Sequence, residues 1–241
     1  MSIASEIARL QQAKSDLATS IAAKAVTVPA ATTLDGYAAL VDQIQQGGGG
    51  TLPYDAEIEY LKGDGNAYIN TGVVPSSDIR LTVDGWYSVT SGTNLVFGAI
   101  QSGSTYPRFH LGINNSNFQA GVGSKAGNVR STSAHRYNFI IDGRDKKAYT
   151  TSGGTTGSYT GDSTYPTIPI FLFARNFDGV ASNMHVFSLC FAHIYSYSTG
   201  KMLVDFIPVR VGTTGYLYDK VSKTLFGNAG SGAFVLGPDR T

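Results

Sequence analysis

The stretch Met184-His-Val-Phe-Ser-Leu-Cys-Phe-Ala-His-Ile-Tyr-Ser-Tyr197 decides the fold class. Read with a period of two, His185, Phe187, Leu189, Phe191, His193 and Tyr195 share one face, and Val186, Cys190, Ala192 and Ile194 share the other. That is the side-chain alternation of a long strand. The same period recurs upstream, where Ile79, Leu81 and Val83 alternate with Arg80, Thr82 and Asp84. Residues 95–100, 109–113 and 118–122 are further strand candidates. Residues 137–141 and 146–149 flank Asp142-Gly143, a strong hairpin signal. Residues 168–173 are almost continuously apolar and predict a central strand, whereas 152–164 hold Gly, Ser and Thr with little else and predict a long loop. Residues 58–61 and 67–70 flank a turn at Gly63-Asp-Gly-Asn66, and strands at 203–210, 215–218, 224–226 and 233–236 complete the set. About a dozen short strands predict an all-β sandwich or jelly roll.

Composition narrows the function classes. The chain has 241 residues, 42% of them hydrophobic, enough for a sizeable core. Charged residues make up only 15% and the net charge is +1. Broad electrostatic binding to nucleic acid needs clustered excess Lys and Arg, so no nucleic-acid partner is expected. No polybasic run adjoins an apolar segment. The longest apolar run, 168–174, is too short to span a bilayer and contains Pro169. No membrane insertion is expected. The single cysteine, Cys190, excludes an intrachain disulfide. No signal peptide is visible near the first residue, which leads to an expectation of assembly in a cytoplasm.

Composition changes at the four glycines 47–50, a flexible joint. The expected organisation is a helical segment at 1–46, the glycine linker at 47–50 and a β domain at 51–241. In the first segment Ile3, Ile7, Leu10, Lys14, Leu17 and Ile21 follow a heptad seam, with Ile7, Lys14 and Ile21 at a and Ile3, Leu10 and Leu17 at d. A second helix is predicted to begin at Thr32 or Thr33, with Thr32 and Asp35 resembling a capping box. Leu34, Tyr37, Val41 and Ile44 carry its apolar side, and Gly47 ends it. An isolated helix of about 20 residues is marginal in water, so these seams predict a homo-oligomer or a docked partner. Ile at a with Leu at d leans towards two strands.

The chemistry-bearing residues point away from catalysis. Glycoside hydrolysis needs two carboxylates, and the chain has only three glutamates, Glu6, Glu57 and Glu59. Glu57 and Glu59 are expected on one strand with no third carboxylate in register. Of the histidines at 110, 135, 185 and 193, only His185 and His193 share a predicted face, and eight residues along a strand is about 26 Å. They cannot hold one metal ion. Cys190, between Leu189 and Phe191, reads as a buried inert thiol. Sugar recognition needs an aromatic face for the ring and planar hydrogen-bonders for its hydroxyls. Tyr106, Arg108 and His110 form one such group, Asn114, Asn115 and Asn117 a second, and Arg175, Asn176 and Asp178 a third. Trp86, the one tryptophan, is either a stacking platform or part of the core.

Ile58-Glu-Tyr-Leu-Lys-Gly-Asp-Gly-Asn-Ala-Tyr-Ile-Asn-Thr-Gly72 resembles the opening of concanavalin A-like, laminin-G-like jelly-roll domains found in many phage and prophage structural proteins. Phe171-Leu-Phe-Ala-Arg-Asn176, Asp205-Phe-Ile-Pro-Val-Arg210, Gly215-Tyr-Leu-Tyr-Asp219 and Leu225-Phe-Gly-Asn-Ala-Gly230 resemble their closing strands. Glu6-Ile-Ala-Arg-Leu-Gln-Gln-Ala-Lys-Ser-Asp-Leu17 resembles a short helical segment of phage tail and fibre proteins. The resemblance implies a virion fibre or appendage subunit of head or tail. Such a subunit would be trimeric, attached to other virion proteins through its N-terminal segment, and lectin-like towards host-surface glycan. It also implies that calcium could be held by Asp55, Asp162 or Asp178, although no dedicated calcium loop is visible. The alternatives are a bacterial or prophage carbohydrate-binding module with no virion role, a decoration protein that binds nothing and, less favoured, a glycoside hydrolase.

Overall fold

A computed structural model describes residues 2–22, 27–42, 52–87, 94–114, 117–131, 136–152 and 155–240. The chain divides into two compact units, Met1–Leu52 and Pro53–Thr241.

In the first unit, α1 (Ile3–Ala22) begins on Ser2, whose side-chain and main-chain oxygens accept from the amides of Ser5 and Glu6. These bonds satisfy donors that the first helical turn leaves unpaired. Glu6 sits in that turn, favourably placed for the helix dipole, and pairs with Arg9 at 2.6 Å. The second helix, α2 (Gly36–Asp42), starts later than the sequence predicts. The Thr32 hydroxyl donates to the Pro29 carbonyl instead of capping a helix, and 34–35 form a turn. Ile21, Tyr37 and Leu40 bury together with Ala18 and Val28 at their edge, and the Tyr37 hydroxyl reaches the Lys14 carbonyl. The predicted seam therefore splits: Ile21 and Tyr37 pack inside the unit, while Ile3, Ile7, Leu10, Leu17, Leu34 and Val41 are exposed. Ile44 and the glycine run at 47–50 lie outside the described residues.

The second unit is a two-sheet jelly-roll β-sandwich. Its strands open with β1 (Ala56–Glu57), β2 (Leu61–Lys62), β3 (Ile69–Asn70), β4 (Ile79–Tyr87), β5 (Asn94–Ile100) and β6 (Arg108–Asn114). They continue as β7 (Asn117–Gly123), β8 (Lys125–Ser131), β9 (Tyr137–Asp142), β10 (Lys147–Ser152), β11 (Thr155–Thr160), β12 (Phe171–Leu172) and β13 (Arg175–Phe177). The last are β14 (Val180–Ser182), β15 (Phe187–Ser196), β16 (Lys201–Val211), β17 (Thr214–Asp219), β18 (Thr224–Phe226) and β19 (Val235–Leu236). The first sheet runs β11-β10-β9-β4-β15-β16-β17-β18, with β1 beside β16 and β2 joining β15 to β19. The second runs β14-β13-β5-β6-β7-β8, with β12 between β5 and β3. Pairing among the described strands is antiparallel apart from β5 with β13.

Inward-facing Leu81, Val83, Phe139, Ile141, Ala192, Ile194 and Phe206 of the first sheet bury in one core with Phe97, Phe109, Leu111, Phe118 and Val122 of the second. Phe139 is in ring contact with Tyr87, Phe97, Phe118, Tyr137 and Phe187. Each such side chain contributes roughly 1.5–3 kcal/mol by leaving water.

The structure corrects several expectations. The turn expected at Gly63–Asn66 carries the chain from β2 in the first sheet to β3 in the second. The predicted central strand 168–173 is reduced to Phe171–Leu172, because Phe173 follows with φ 64°, in the left-handed region. The predicted loop 152–164 contains the edge strand β11, held by full register with β10 and by Tyr159, which packs against the core. The strand β8 carries no strong apolar alternation and was not expected; of its described side chains only Val129 is buried. Glu57 ends β1 while Glu59 lies beyond it, so the two do not share one strand.

The decisive correction lies in β15. Its register against β4 shifts between Leu189, opposite Gly85, and Phe191, opposite Asp84. Cys190 is the extra residue of a bulge, which exchanges the two faces. Phe187 and Leu189 point into the core before it, and Ala192 and Ile194 after it. Phe191, His193 and Tyr195 are thereby turned to the outer face. A Cβ at Gly85 would stand 2.1 Å from the Ser188 carbonyl oxygen, so the approach of the two strands at this bulge requires glycine.

Candidate functional site

The bulge places three ring side chains in line on the outer face of the first sheet. Beyond it, Tyr195 pairs with Arg80 and His193 with Thr82 across β4, and Tyr195 with Met202 across β16. Arg80, Thr82, His193, Tyr195, Tyr197 and Met202 line an open groove of about 260 Å³. Tyr195 and Tyr197 meet edge to face at 5.3 Å, and the Arg144 guanidinium lies 3.8 Å over the Tyr197 ring. The Tyr197 hydroxyl donates to the Asp142 carboxylate, which fixes its orientation. Burial, followed by Asp142, pushes the Tyr197 phenol up to about 12, so it stays protonated.

His193 stacks on Phe191 with centroids 4.5 Å apart. Its Nε2 lies 3.1 Å from Asp205, which also contacts Lys220. Burial holds the imidazole below its ordinary range in spite of that carboxylate. Arg80 extends over Tyr149, and its Nε is buried with no hydrogen-bond partner among the described residues. The groove combines tyrosine rings and a thioether with a guanidinium, a hydroxyl and an imidazole. That combination offers apolar faces to a sugar ring and hydrogen bonds to its hydroxyls. None of the six lining residues is a carboxylate; Asp142 and Asp205 stand behind them, bonded to Tyr197 and His193.

The residues singled out from the sequence are elsewhere. Tyr106, Arg108, His110 and Arg175 come together on the outer face of the second sheet. The Arg108 guanidinium lies 4.4 Å over the Tyr106 ring, Arg175 lies 5.0 Å over Phe177, and Tyr106 and Phe177 are 6.2 Å apart. Phe177 was not predicted; its period-two spacing from Arg175 was the available signal. Asn176 points the other way: it is fully buried, donates to the Pro169 carbonyl and accepts from the Gly179 amide. Asp178 accepts from the Ser102 amide in the exposed turn that follows. The Asn176 side chain is thus taken up inside the fold, whereas the Asp178 carboxylate stays exposed. Asn114 lies at the opposite end of β6, paired with Asn117, and Asn115 is outside the described residues. Trp86 is half-buried on the outer face of β4, edge to face with Tyr60 at 5.1 Å. Six residues separate it from Arg80, about 20 Å along the strand.

No group of three or more His, Cys, Asp or Glu side chains among the described residues could hold a metal ion. Asp55, Asp162 and Asp178 stand in separate loops and accept from the amides of Gly212, of Ser124 and Thr164, and of Ser102. These carboxylates do not fit a shared calcium site. His185 is buried against Tyr87 and His193 faces outward, while His135 lies outside the described residues. Burial pushes the Cys190 thiol up to about 12, where it is inert at neutral pH.

No protein-family profile matches the sequence, and no curated protein matches it. Several solved structures are similar in shape. A candidate carbohydrate-binding protein from Bacteroides ovatus is 8% identical with a TM-score of 0.49, over 77% of this chain and 61% of that protein. The CBM40 of the Ruminococcus gnavus IT-sialidase is 9% identical with a TM-score of 0.41, over 60% of this chain and 91% of that one. The NanB sialidase from Streptococcus pneumoniae is 11% identical with a TM-score of 0.40, over 76% of this chain and 39% of the sialidase. The fold assignment rests on the strand order and registers given above.

Proposed function

We propose that the protein is a non-catalytic glycan-binding protein that uses the outer-face groove of its first sheet. The observation that carries this reading is the set Tyr195, Tyr197 and Met202 beside Arg80, Thr82 and His193 around one open volume of about 260 Å³. Water-exposed sheet faces are ordinarily polar, and a ring-lined hollow with convergent hydrogen-bonders is the usual form of a small-ligand site. Screening the full chain against a panel of immobilised glycans tests it. Tyr195→Ala should weaken the best-bound glycan at least tenfold while leaving the melting transition nearly in place. Absence of any bound glycan, or unchanged affinity in Tyr195→Ala, overturns the reading.

The helical unit supports a finer version. Ile3, Ile7, Leu10 and Leu17 leave an exposed apolar stripe along α1. We infer that this stripe joins copies of the chain, as in a phage fibre or appendage subunit, so that weak single sites act together. A free-standing carbohydrate-binding module is the competing version, and it predicts a monomer with the same groove. Light scattering separates the two: a trimer or dimer supports the appendage, and a monomer at micromolar concentration favours the module.

A further inference from the structure

On the outer face of the second sheet, Arg175 of β13, Gly98 of β5, His110 of β6 and Gly121 of β7 stand side by side in register. Both strand neighbours of His110 are thus glycine. A Cβ at Gly98 would lie 2.4 Å from His110 Cβ, and one at Gly121 would lie 2.3 Å from Cε1 and 2.7 Å from Nδ1. The imidazole therefore lies against the sheet, with its Nδ1 edge facing the space above Gly121 beside Arg108 Cβ. His110 is only 3% exposed, and Nδ1 has no hydrogen-bond partner among the described residues.

The guanidiniums of Arg108 and Arg175, whose charges act on this imidazole, are held by neutral groups. Arg108 donates through Nη1 to the Ser124 carbonyl and rests on Tyr106; Arg175 donates through Nε to the Ser182 hydroxyl at 2.9 Å and rests on Phe177. Among the described residues no carboxylate lies within ion-pair distance of either. Asp162, beyond Ser124, is taken up by the Ser124 amide and hydroxyl and the Thr164 amide. Burial and both arginines press the His110 imidazole down to about 3, so it stays neutral and adds no third positive charge. Two positioned cations with no carboxylate partner among the described residues lack a matching acceptor, and the unpartnered His110 Nδ1 lies beside them.

We propose that Arg108 and Arg175, with His110 beside them on the sheet, form an oxyanion site, separate from the tyrosine groove, that takes a carboxylate or sulfate group. The group arrives on an acidic saccharide or as a free ion, and the test distinguishes these sources. The full-length protein is titrated by calorimetry with galacturonate, galactose and inorganic sulfate, and the His110 imidazole resonances are followed by NMR. Galacturonate should bind at least tenfold more tightly than galactose and should shift the His110 signals. Arg108→Gln and Arg175→Gln should each weaken galacturonate about tenfold. Sulfate binding much weaker than galacturonate assigns the site to an acidic saccharide, and sulfate binding of equal strength assigns it to a free oxyanion. The proposal fails if neither anion shifts the His110 resonances of the parent protein, or if the folded arginine variants bind galacturonate as the parent does. Failure here leaves the groove reading standing, because that rests on Tyr195→Ala and not on either arginine.

Discussion

The two units treat the same kind of residue in opposite ways. The sandwich closes on itself: Phe97, Phe109, Phe118, Phe139, Phe187 and Phe206 are fully buried. The helical unit buries Ile21, Tyr37 and Leu40 at one end of α1 but leaves Ile7 51% and Leu10 48% exposed. A sheet that faces another sheet finds partners for its whole inner face within one chain. One long helix with one short neighbour covers only the turns that the neighbour reaches. The short helix α2 meets α1 near Ile21, so the rest of the stripe remains uncovered. Apolar patterning thus predicts stability in one unit and association in the other.

The largest effect should come from emptying the core that makes the sandwich self-sufficient. Phe139→Ala should cost about 3–5 kcal/mol, measured by denaturant unfolding of residues 53–241. That fragment should itself melt cooperatively at the temperature of the full chain, and loss of its transition would break the contrast between the units. Next, Gly85→Ala forces a Cβ against the Ser188 carbonyl and should cost about 1–3 kcal/mol by the same measurement. A neutral result would show that the bulge shifts without penalty.

Ile7→Ser with Leu10→Ser should leave the sandwich transition unchanged and convert the proposed multimer to monomer, read by light scattering of the full chain and the variant. Tyr37→Ala should loosen the helical unit itself, visible as lost helical circular dichroism, because that ring packs on Ile21. If both variants behave alike, the exposed and buried halves of the seam are not distinct.

The smallest effect is electrostatic. Asp162 accepts from Ser124 and Thr164, and these bonds lower its carboxyl to about 2 from the usual value near about 3.9. The folded state thus binds this proton less tightly than the unfolded chain. Its contribution is present above about pH 4 and is lost as pH falls towards 2. Asp162→Asn should flatten the fall in melting temperature between pH 4 and pH 2, and an unchanged slope would remove Asp162 from the acid response. Among the described residues the helical unit has no comparable carboxylate anchored by several amides, so its helical signal should change less over that range.

Much of the site was only half legible. Tyr106, Arg108, His110 and Arg175 were singled out by side-chain type, but their meeting on one sheet face depends on the parallel pairing of β5 with β13. That pairing joins positions far apart in the chain and leaves no local pattern. Asn176 and Asp178 share the polarity of a binding loop, yet Asn176 bonds the Pro169 carbonyl and the Gly179 amide, and Asp178 ties its turn to Ser102. The groove was hidden for a different reason. Its aromatic alternation at Phe191, His193 and Tyr195 was visible, but an unbroken period of two joins it to Phe187 and Leu189 of the core.

The sequence by itself determined the all-β class, the α1 helix and the hairpin at Asp142-Gly143, because each is written in the spacing of neighbouring residues. Side-chain period and turn chemistry act over a few residues and need no distant partner. Only the tertiary structure decided which face of β15 is core, that the Ser, Gly and Thr stretch closes an edge as β11, and where the turn at Gly63–Asn66 changes sheet. Those choices are made by strand pairing and by a bulge, where burial against remote residues outweighs local preference.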